Sequence, residues 1–187
     1  MTDPLAKEAG LPERHGRHGR HERASAPVPF LLDVLRHGEA ESPGPRGDAA
    51  RALTPAGRRT VIELTQLLVR EGWRPGRIFS SPLLRARQTA EIVRAGTPDA
   101  PEIEELPELQ AETEPSDALA ALDAMNVVKG HVLLVSHQPL AGRMAALLTG
   151  EAPGFSPGTL VRIECDAGLK PGGCRVVRAI EPRPAHN

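Results

Sequence analysis

The sequence predicts an α/β domain with three layers, in which helices cover both faces of a largely parallel sheet. Short apolar runs, typical of buried strands, alternate along the chain with stretches of helical periodicity. Two helical stretches begin at a Thr-Pro or Ser-Pro pair, which is typical of a capped helix start. Three of the apolar runs end in polar residues, and a parallel sheet brings such strand ends to one edge, where ligands bind.

The composition of the 187-residue chain argues against two classes of partner, nucleic acids and membranes. Aromatic residues make up only 2% and the formal net charge is −1, which disfavours base stacking and binding of a phosphate backbone. No apolar run approaches the roughly 18 to 20 residues of a membrane span. The N-terminus lacks the apolar core of a secretory signal, and two cysteines form no disulfide framework, so we expect a cytoplasmic protein.

Residues 1–29 are predicted to form a disordered N-terminal tail, and residues 30–187 the folded domain. The first stretch is rich in charged residues and histidine and has almost no periodic hydrophobicity. Order is expected to begin near Phe30, where the first apolar run starts.

The first half of the domain is predicted to contain two strands and two helices. In chain order these are a strand from residue 30 that ends in Arg36-His37-Gly38, a helix from 55 to 71, a strand from 77 to 80 and a helix from 82 to about 94. Thr54 and Ser81 each precede a proline, so we interpret them as helix caps rather than catalysts. Residues 39–53 are rich in Pro, Gly and charge, which indicates a loop.

The second half is predicted to continue the alternation and to end in a hairpin or a pair of edge strands. Its elements are a short strand at 102–106, a helix capped by Ser116 and reaching about 126, a strand at 131–135, a helix from Pro139 to Gly150, and a hairpin formed by TLVRIEC and CRVVRAIEP. Cys165 and Cys174 flank the hairpin turn. We expect them on neighbouring strands as two unlinked thiols, because disulfides are rare in the cytoplasm.

Four residues with chemically capable side chains are expected to converge at one edge of the sheet. His37 and His137 each follow an apolar strand, Arg36 precedes the first histidine, and Arg85 lies in the opening turn of a helix. Guanidinium groups and a helix N-terminus together bind oxyanions, and phosphate in particular. One histidine in such a place is more often structural, but four groups at three strand ends indicate function.

Four segments of the chain carry a resemblance to a known family. In chain order they are LRHGEA, LTPAG, SSPLLRARQTA and VLLVSHQPL. The series resembles the motifs of the histidine phosphatase superfamily, and the wider match, with ELPEL and the segment from Phe155 to Leu160, resembles the bacterial SixA-type phosphohistidine phosphatases. The resemblance covers about residues 31–165 and implies the histidine phosphatase, or phosphoglycerate mutase-like, fold.

Two further Arg-His-Gly triplets occur in the N-terminal stretch. Arg14-His15-Gly16 and Arg17-His18-Gly19 match the motif letter for letter, but no apolar strand precedes either. Because nothing there would fix the imidazole, we interpret both as chance matches.

The resemblance implies a role for each converging residue. His37 is the nucleophile that becomes phosphorylated, and Arg36, Arg85 and His137 bind the transferred phosphoryl group. Gly38 permits a tight turn and offers a backbone carbonyl that fixes the tautomer of the imidazole. We expect no metal ion and no cofactor, because the arginines neutralise the phosphoryl charge.

Many histidine phosphatases also supply a carboxylic acid after the third strand, which protonates the leaving group. The corresponding stretch LPELQAETEP offers Glu108, Glu112 and Glu114 without a clear motif. Glu108 is the candidate acid, and SixA-type members resemble this sequence in lacking an obvious one.

Three functions remain open from the sequence. The first is a phosphohistidine phosphatase acting on a phosphoprotein, such as a histidine-containing phosphotransfer domain, since the loops at 39–53 and 95–115 are too short to form a lid. The second is a small-molecule phosphomonoesterase or mutase of the same superfamily. The third is a non-catalytic phosphate-binding module, which would need the arginines but not a nucleophilic histidine.

Overall fold

The computed structural model describes residues 30–166 and 168–182. Six strands form one sheet: β1 (Phe30–Arg36), β2 (Arg77–Ser80), β3 (Ile103–Glu105), β4 (His131–Ser136), β5 (Leu160–Cys165) and β6 (Cys174–Ile180). Four α-helices accompany them: α1 (Pro55–Arg70), α2 (Leu84–Gly96), α3 (Pro115–Ala124) and α4 (Leu140–Thr149). The predicted tail at 1–29 and the two triplets at His15 and His18 lie outside the described residues.

The sheet has the strand order β3-β2-β4-β1-β5-β6. The first four strands in that order are parallel, and β5 and β6 continue the sheet in antiparallel fashion. The predicted α/β class with a largely parallel sheet is therefore confirmed, and the terminal hairpin supplies its antiparallel part.

Helices pack on both faces of the sheet because the strands alternate their side chains between two apolar cores. Leu32 and Val34 of β1 belong to a core shared with α3 and α4. Leu35 of the same strand belongs to a core shared with α1 and α2, which includes Val61 and Val93. This alternation produces the three layers. No helix among the described residues is long and apolar enough to span a membrane.

Three serine or threonine residues were predicted to cap helices, and only one does so. The Thr54 hydroxyl accepts a hydrogen bond from the Gly57 N–H at 2.9 Å, with proline in the first turn of α1. Ser81 lies upstream of α2, which begins at Leu84, and Ser116 lies inside the first turn of α3. Both cap predictions are wrong. Helix α3 begins at Pro115, one residue before Ser116, and the Ser81 hydroxyl binds a different side chain, described below.

The hairpin prediction is confirmed, but the expectation of unlinked thiols is wrong. Cys165 and Cys174 lie directly opposite each other in the β5–β6 pair and form a disulfide with a Cα–Cα distance of 4.3 Å. Opposed positions on antiparallel strands bring the two side chains together. The number of cysteines in the sequence carries no information about this register.

A buried ionic cluster joins the central strands at the end of the sheet away from the polar strand ends. Asp33 of β1 is fully buried and accepts hydrogen bonds from Trp73, His131 and both Nε and NH2 of Arg162. Burial alone would raise the pKa of Asp33, but the hydrogen bonds from His131 and Arg162 outweigh it and lower the pKa. The carboxylate is therefore paired, as a buried charge must be.

Candidate active site

The carboxyl ends of β1, β2 and β4 bring the predicted site residues together. The parallel register pairs Arg36 with Ser136, and the His37 N–H donates to the Ser136 carbonyl at 3.0 Å. The residues that follow the two strands are consequently neighbours, and the rings of His37 and His137 lie 4.9 Å apart between centroids. Arg85, in the first turn of α2, reaches Nε2 of His37 at 3.2 Å. All four residues are thus assembled at one edge of the sheet.

The imidazole of His37 is held in one orientation and one tautomer. Nδ1 lies 2.7 Å from the Gly38 carbonyl, and because a carbonyl only accepts, Nδ1 carries the hydrogen. Nε2 therefore keeps its lone pair, which accepts the hydrogen bond from Arg85. Burial, with the charges of Arg85 and Arg36, lowers the pKa of His37 to about 4. The ring is neutral near pH 7, with its unprotonated nitrogen at Nε2.

Gly38 is required for space rather than for a special backbone conformation. A Cβ at this position would lie 2.9 Å from Val61 Cγ2 and 3.0 Å from the Gly57 carbonyl oxygen, closer than real contacts allow. Its φ is not in the left-handed region, so the predicted turn does not depend on the conformational freedom of glycine. Its predicted carbonyl contact with His37 is present.

His137 is almost completely buried and is oriented by Ser81. Its Nε2 lies 2.8 Å from the Ser81 hydroxyl oxygen. When the Ser81 hydroxyl donates to Nε2, the ring hydrogen lies on Nδ1; in the other tautomer, Nε2–H donates to the hydroxyl oxygen. Burial and the neighbouring His37 and Arg85 lower the pKa of His137 to about 3. The ring is therefore neutral near pH 7, and in the first of these tautomers Nδ1 is a donor.

Two buried nitrogens at the site have no hydrogen-bond partner among the described residues. They are the buried Nε of Arg36 and the buried Nδ1 of His137. The Arg36 guanidinium is anchored through NH1, which donates to the Phe155 carbonyl at 2.6 Å, and burial beside Arg85 lowers its pKa. Buried unpaired donors are costly unless a ligand satisfies them. An oxyanion bound between these groups would do so.

Arg85 has a partner that the sequence reasoning missed. Its NH1 donates to the Asp48 carbonyl and its NH2 to the Asp48 carboxylate, both at 2.9 Å. Asp48 lies in a short 3₁₀ turn in the connector between β1 and α1. In the sequence it is one of several charged residues of that loop, and nothing distinguishes it from Glu39, Glu41, Arg46 and Arg51.

Glu108 lies in the turn that follows β3, and the structure brings this turn to the same edge of the sheet. The turn is fixed by the Ser136 hydroxyl, which donates to the neighbouring Leu109 carbonyl at 2.8 Å. The Glu108 carboxylate is half-buried and forms no hydrogen bond or ion pair with any other described residue. It is thus free to face a ligand, although no contact with His37 supports a role as acid.

Comparison with known proteins agrees with the fold. Residues 32–113 match the model of the histidine phosphatase superfamily, branch 1. The fold is similar to a structure of the protein histidine phosphatase SixA complexed with tungstate, with a TM-score of 0.74, 29% sequence identity, and coverage of 82% of this chain and 97% of that one. No curated protein matches the chain by sequence.

Two further structures have the same fold at lower sequence identity. SixA from Agrobacterium tumefaciens has a TM-score of 0.70 and 23% identity, over 83% of this chain and 99% of that one. A phosphoserine phosphatase mutant from Entamoeba histolytica, in complex with phosphoserine, has a TM-score of 0.60 and 15% identity, over 80% of this chain and 96% of that one. The motif series, the fold and the family model over residues 32–113 all resemble the histidine phosphatase superfamily, and the protein is a phosphatase.

Proposed function

We propose that the protein is a phosphohistidine phosphatase that hydrolyses the N–P bond of a phosphoprotein through a covalent phosphohistidine at His37. The observation that carries the proposal is the state of the His37 ring. Its Nδ1–H is bound to the Gly38 carbonyl, and its pKa of about 4 leaves Nε2 unprotonated near neutral pH. A neutral, oriented imidazole is the form that attacks phosphorus.

In the first step, the lone pair of His37 Nε2 attacks the phosphorus atom in line and the N–P bond of the substrate breaks. The substrate imidazole leaves with the bonding pair and takes a proton from water. The Nε–H of Arg85, which donates to Nε2 before the substrate binds, now donates its hydrogen bond to a phosphoryl oxygen and keeps its proton. Arg36 Nε and His137 Nδ1 donate to the other oxygens and stabilise the developing charge.

In the second step, a water molecule attacks the phosphorylated His37. The P–Nε2 bond breaks, inorganic phosphate leaves, and the bonding pair returns to Nε2 as the lone pair. Because Nδ1 keeps its hydrogen throughout, the ring ends the cycle in the neutral tautomer in which it began.

A phosphoprotein substrate is supported by two observations. The solved structure of SixA, a protein histidine phosphatase, matches 97% of its length at 29% identity. The connectors at this edge, 37–54 and 97–114, carry no long insertion that would enclose a small molecule. A histidine-containing phosphotransfer domain as the partner, and the cytoplasm as the location, stay predictions.

A small-molecule phosphatase is the second candidate. The fold also resembles a phosphoserine phosphatase, and the free carboxylate of Glu108 lies at the same edge of the sheet. A module that only binds phosphate is disfavoured, because binding needs the arginines but not a histidine whose Nε2 is kept unprotonated.

A substrate panel tests the proposal. The purified protein is assayed with a phosphohistidine protein, with phosphoramidate and with an alkyl phosphate monoester, each followed by release of inorganic phosphate. We expect fast release from the two N–P substrates and slow release from the alkyl ester. Equal rates on all three would favour the small-molecule candidate, and binding without release from any of them would overturn the proposal.

A further inference from the structure

Asp48 contacts Arg85 at the edge of the sheet where His37, Arg36 and His137 also lie, but it is not one of the four residues predicted to converge there. It binds Arg85 twice, once through its backbone carbonyl and once through Oδ2, with both distances at 2.9 Å. The Arg85 side chain is 6% exposed and that of Asp48 is 55% exposed. Asp48 therefore covers the guanidinium from the solvent side and supplies its counter-charge.

The two contacts fix the direction of the third donor of Arg85. A guanidinium is planar, so holding NH1 and NH2 on one residue also sets where Nε–H points. Nε–H points at Nε2 of His37, at 3.2 Å. The orientation of Arg85 toward the reacting atom thus depends on Asp48, which lies on a different segment of the chain.

Asp48 is held in place from its other side as well. Arg51 donates to its Oδ1 at 2.9 Å and to the Glu41 carbonyl. Hydrogen bonds from Arg51 and Arg85 lower the pKa of Asp48, so the group is ionised at neutral pH and has no proton to give a leaving group. These contacts favour a fixed carboxylate over a general acid.

We propose that Asp48 is a positioning residue that holds Arg85 in the orientation in which its Nε–H meets the phosphoryl group on His37. The inference rests on the proposed function, because it assumes that the phosphoryl group binds at Nε2. It adds a residue from the loop between β1 and α1 to the site, and it assigns that loop a role in catalysis.

The test compares Asp48→Ala with a matched control, Glu104→Ala. Glu104 also accepts two hydrogen bonds from one arginine, Arg77, but at the opposite end of β2 from the site. For Asp48→Ala we expect kcat/KM to fall roughly 10- to 100-fold, as for other groups that orient a ligand-binding side chain, with tungstate binding weakened as well. Glu104→Ala should leave kcat/KM and tungstate binding unchanged. Asp48→Asn, whose amide oxygen still accepts a hydrogen bond, should lose less kcat/KM than Asp48→Ala.

Three outcomes would overturn the inference. Unchanged kcat/KM in Asp48→Ala would show that Arg85 needs no support. Tighter tungstate binding would show that the carboxylate competes with the anion. A loss confined to alkyl esters, with phosphoramidate unaffected, would make Asp48 an acid. Tungstate affinity by calorimetry requires no turnover, so the inference can be judged even if the proposed reaction is wrong.

Discussion

The Nε–H of Arg85 donates a hydrogen bond to Nε2 of His37 across 3.2 Å. A guanidinium has no lone pair to offer, so this contact exists only while Nε2 is unprotonated. Protonation of His37 would place an Nε2–H against the Nε–H of Arg85. It would also add a positive charge to a site that already holds the charge of Arg36. Burial, and then the charge of Arg85, therefore lower the pKa of His37 and keep the proposed nucleophile neutral, and Arg85 occupies its lone pair until an oxyanion binds.

Replacing His37 with alanine should abolish turnover and the covalent phosphoenzyme, because no other nitrogen at the site has a free lone pair aligned by a backbone carbonyl. The measurement is trapping with ³²P-labelled substrate, followed by denaturation in alkali, under which phosphohistidine survives. His15→Ala and His18→Ala are the controls and should label normally, since no apolar strand precedes either residue in the sequence. Label retained in His37→Ala would disprove the assignment.

Folding stability should fall as the pH drops below about 6.5. His37 and His137 stay neutral in the folded protein down to pH values of about 4 and about 3. In the unfolded chain both take up a proton below about pH 6.5. Unfolding thus binds protons between about pH 4 and 6.5, and the free energy of unfolding decreases by up to about 1.4 kcal/mol per pH unit for each histidine. Above that window this contribution is fully present.

Urea denaturation at about pH 7 and about pH 5 measures the effect. A double variant, His37→Asn with His137→Asn, should lose this part of the pH dependence. An equal pH dependence in the wild type and the double variant would show that the two rings titrate normally.

The strand ends could be predicted from the sequence because the apolar runs are short and bounded by polar residues. His37 and His137 follow such runs directly, so the sheet alone determines their proximity. Arg85 could be placed because helix α2 follows its strand closely. These inferences need only strand period and sheet direction, which are local properties of the chain.

Contacts between distant loops could not be predicted in this way. Asp48 reaches Arg85 from a connector whose path depends on a bridge between Ala40 and Leu53. Ser81 has the sequence context of a helix cap, yet its hydroxyl binds His137 across the sheet edge. Helix and turn propensities describe the effect of a residue on its own segment, whereas the side chains of Asp48 and Ser81 bind residues of another segment.

Replacing Ser81 with alanine should impair catalysis without unfolding the protein. The hydroxyl lies 2.8 Å from His137 Nε2 and orients the ring, and it caps no helix. We expect kcat/KM to fall roughly tenfold, the value of about one hydrogen bond. ¹⁵N chemical shifts of His137 report the tautomer directly and should change.

The neighbouring Ser80 provides the control for this substitution. It is equally buried, and its hydroxyl donates only to the Ser81 carbonyl. Ser80→Ala should keep the rate and the His137 tautomer. If both variants lose activity in step with their thermal stability, the role of Ser81 is structural and the prediction is wrong.

Glu108→Gln should slow N–P hydrolysis only slightly. A substrate imidazole leaves easily, because its conjugate acid has a pKa of roughly 6.5 and water can protonate it. An alkoxide is far more basic and needs a positioned acid, whose help is typically about 10²- to 10⁴-fold. The Glu108 carboxylate forms no hydrogen bond to another described residue, so nothing fixes it on a leaving group.

The comparison is kcat/KM of the wild type and Glu108→Gln on phosphoramidate, phenyl phosphate and an alkyl monoester. Without a positioned acid, the wild-type rate falls steeply as the leaving group becomes more basic, and the substitution changes all three rates by the same small factor. With an acid, the wild-type rates differ little, and the substitution costs about a hundredfold on the alkyl ester alone. The second pattern would assign the protein to small phosphomonoesters, because only basic leaving groups require that carboxyl group.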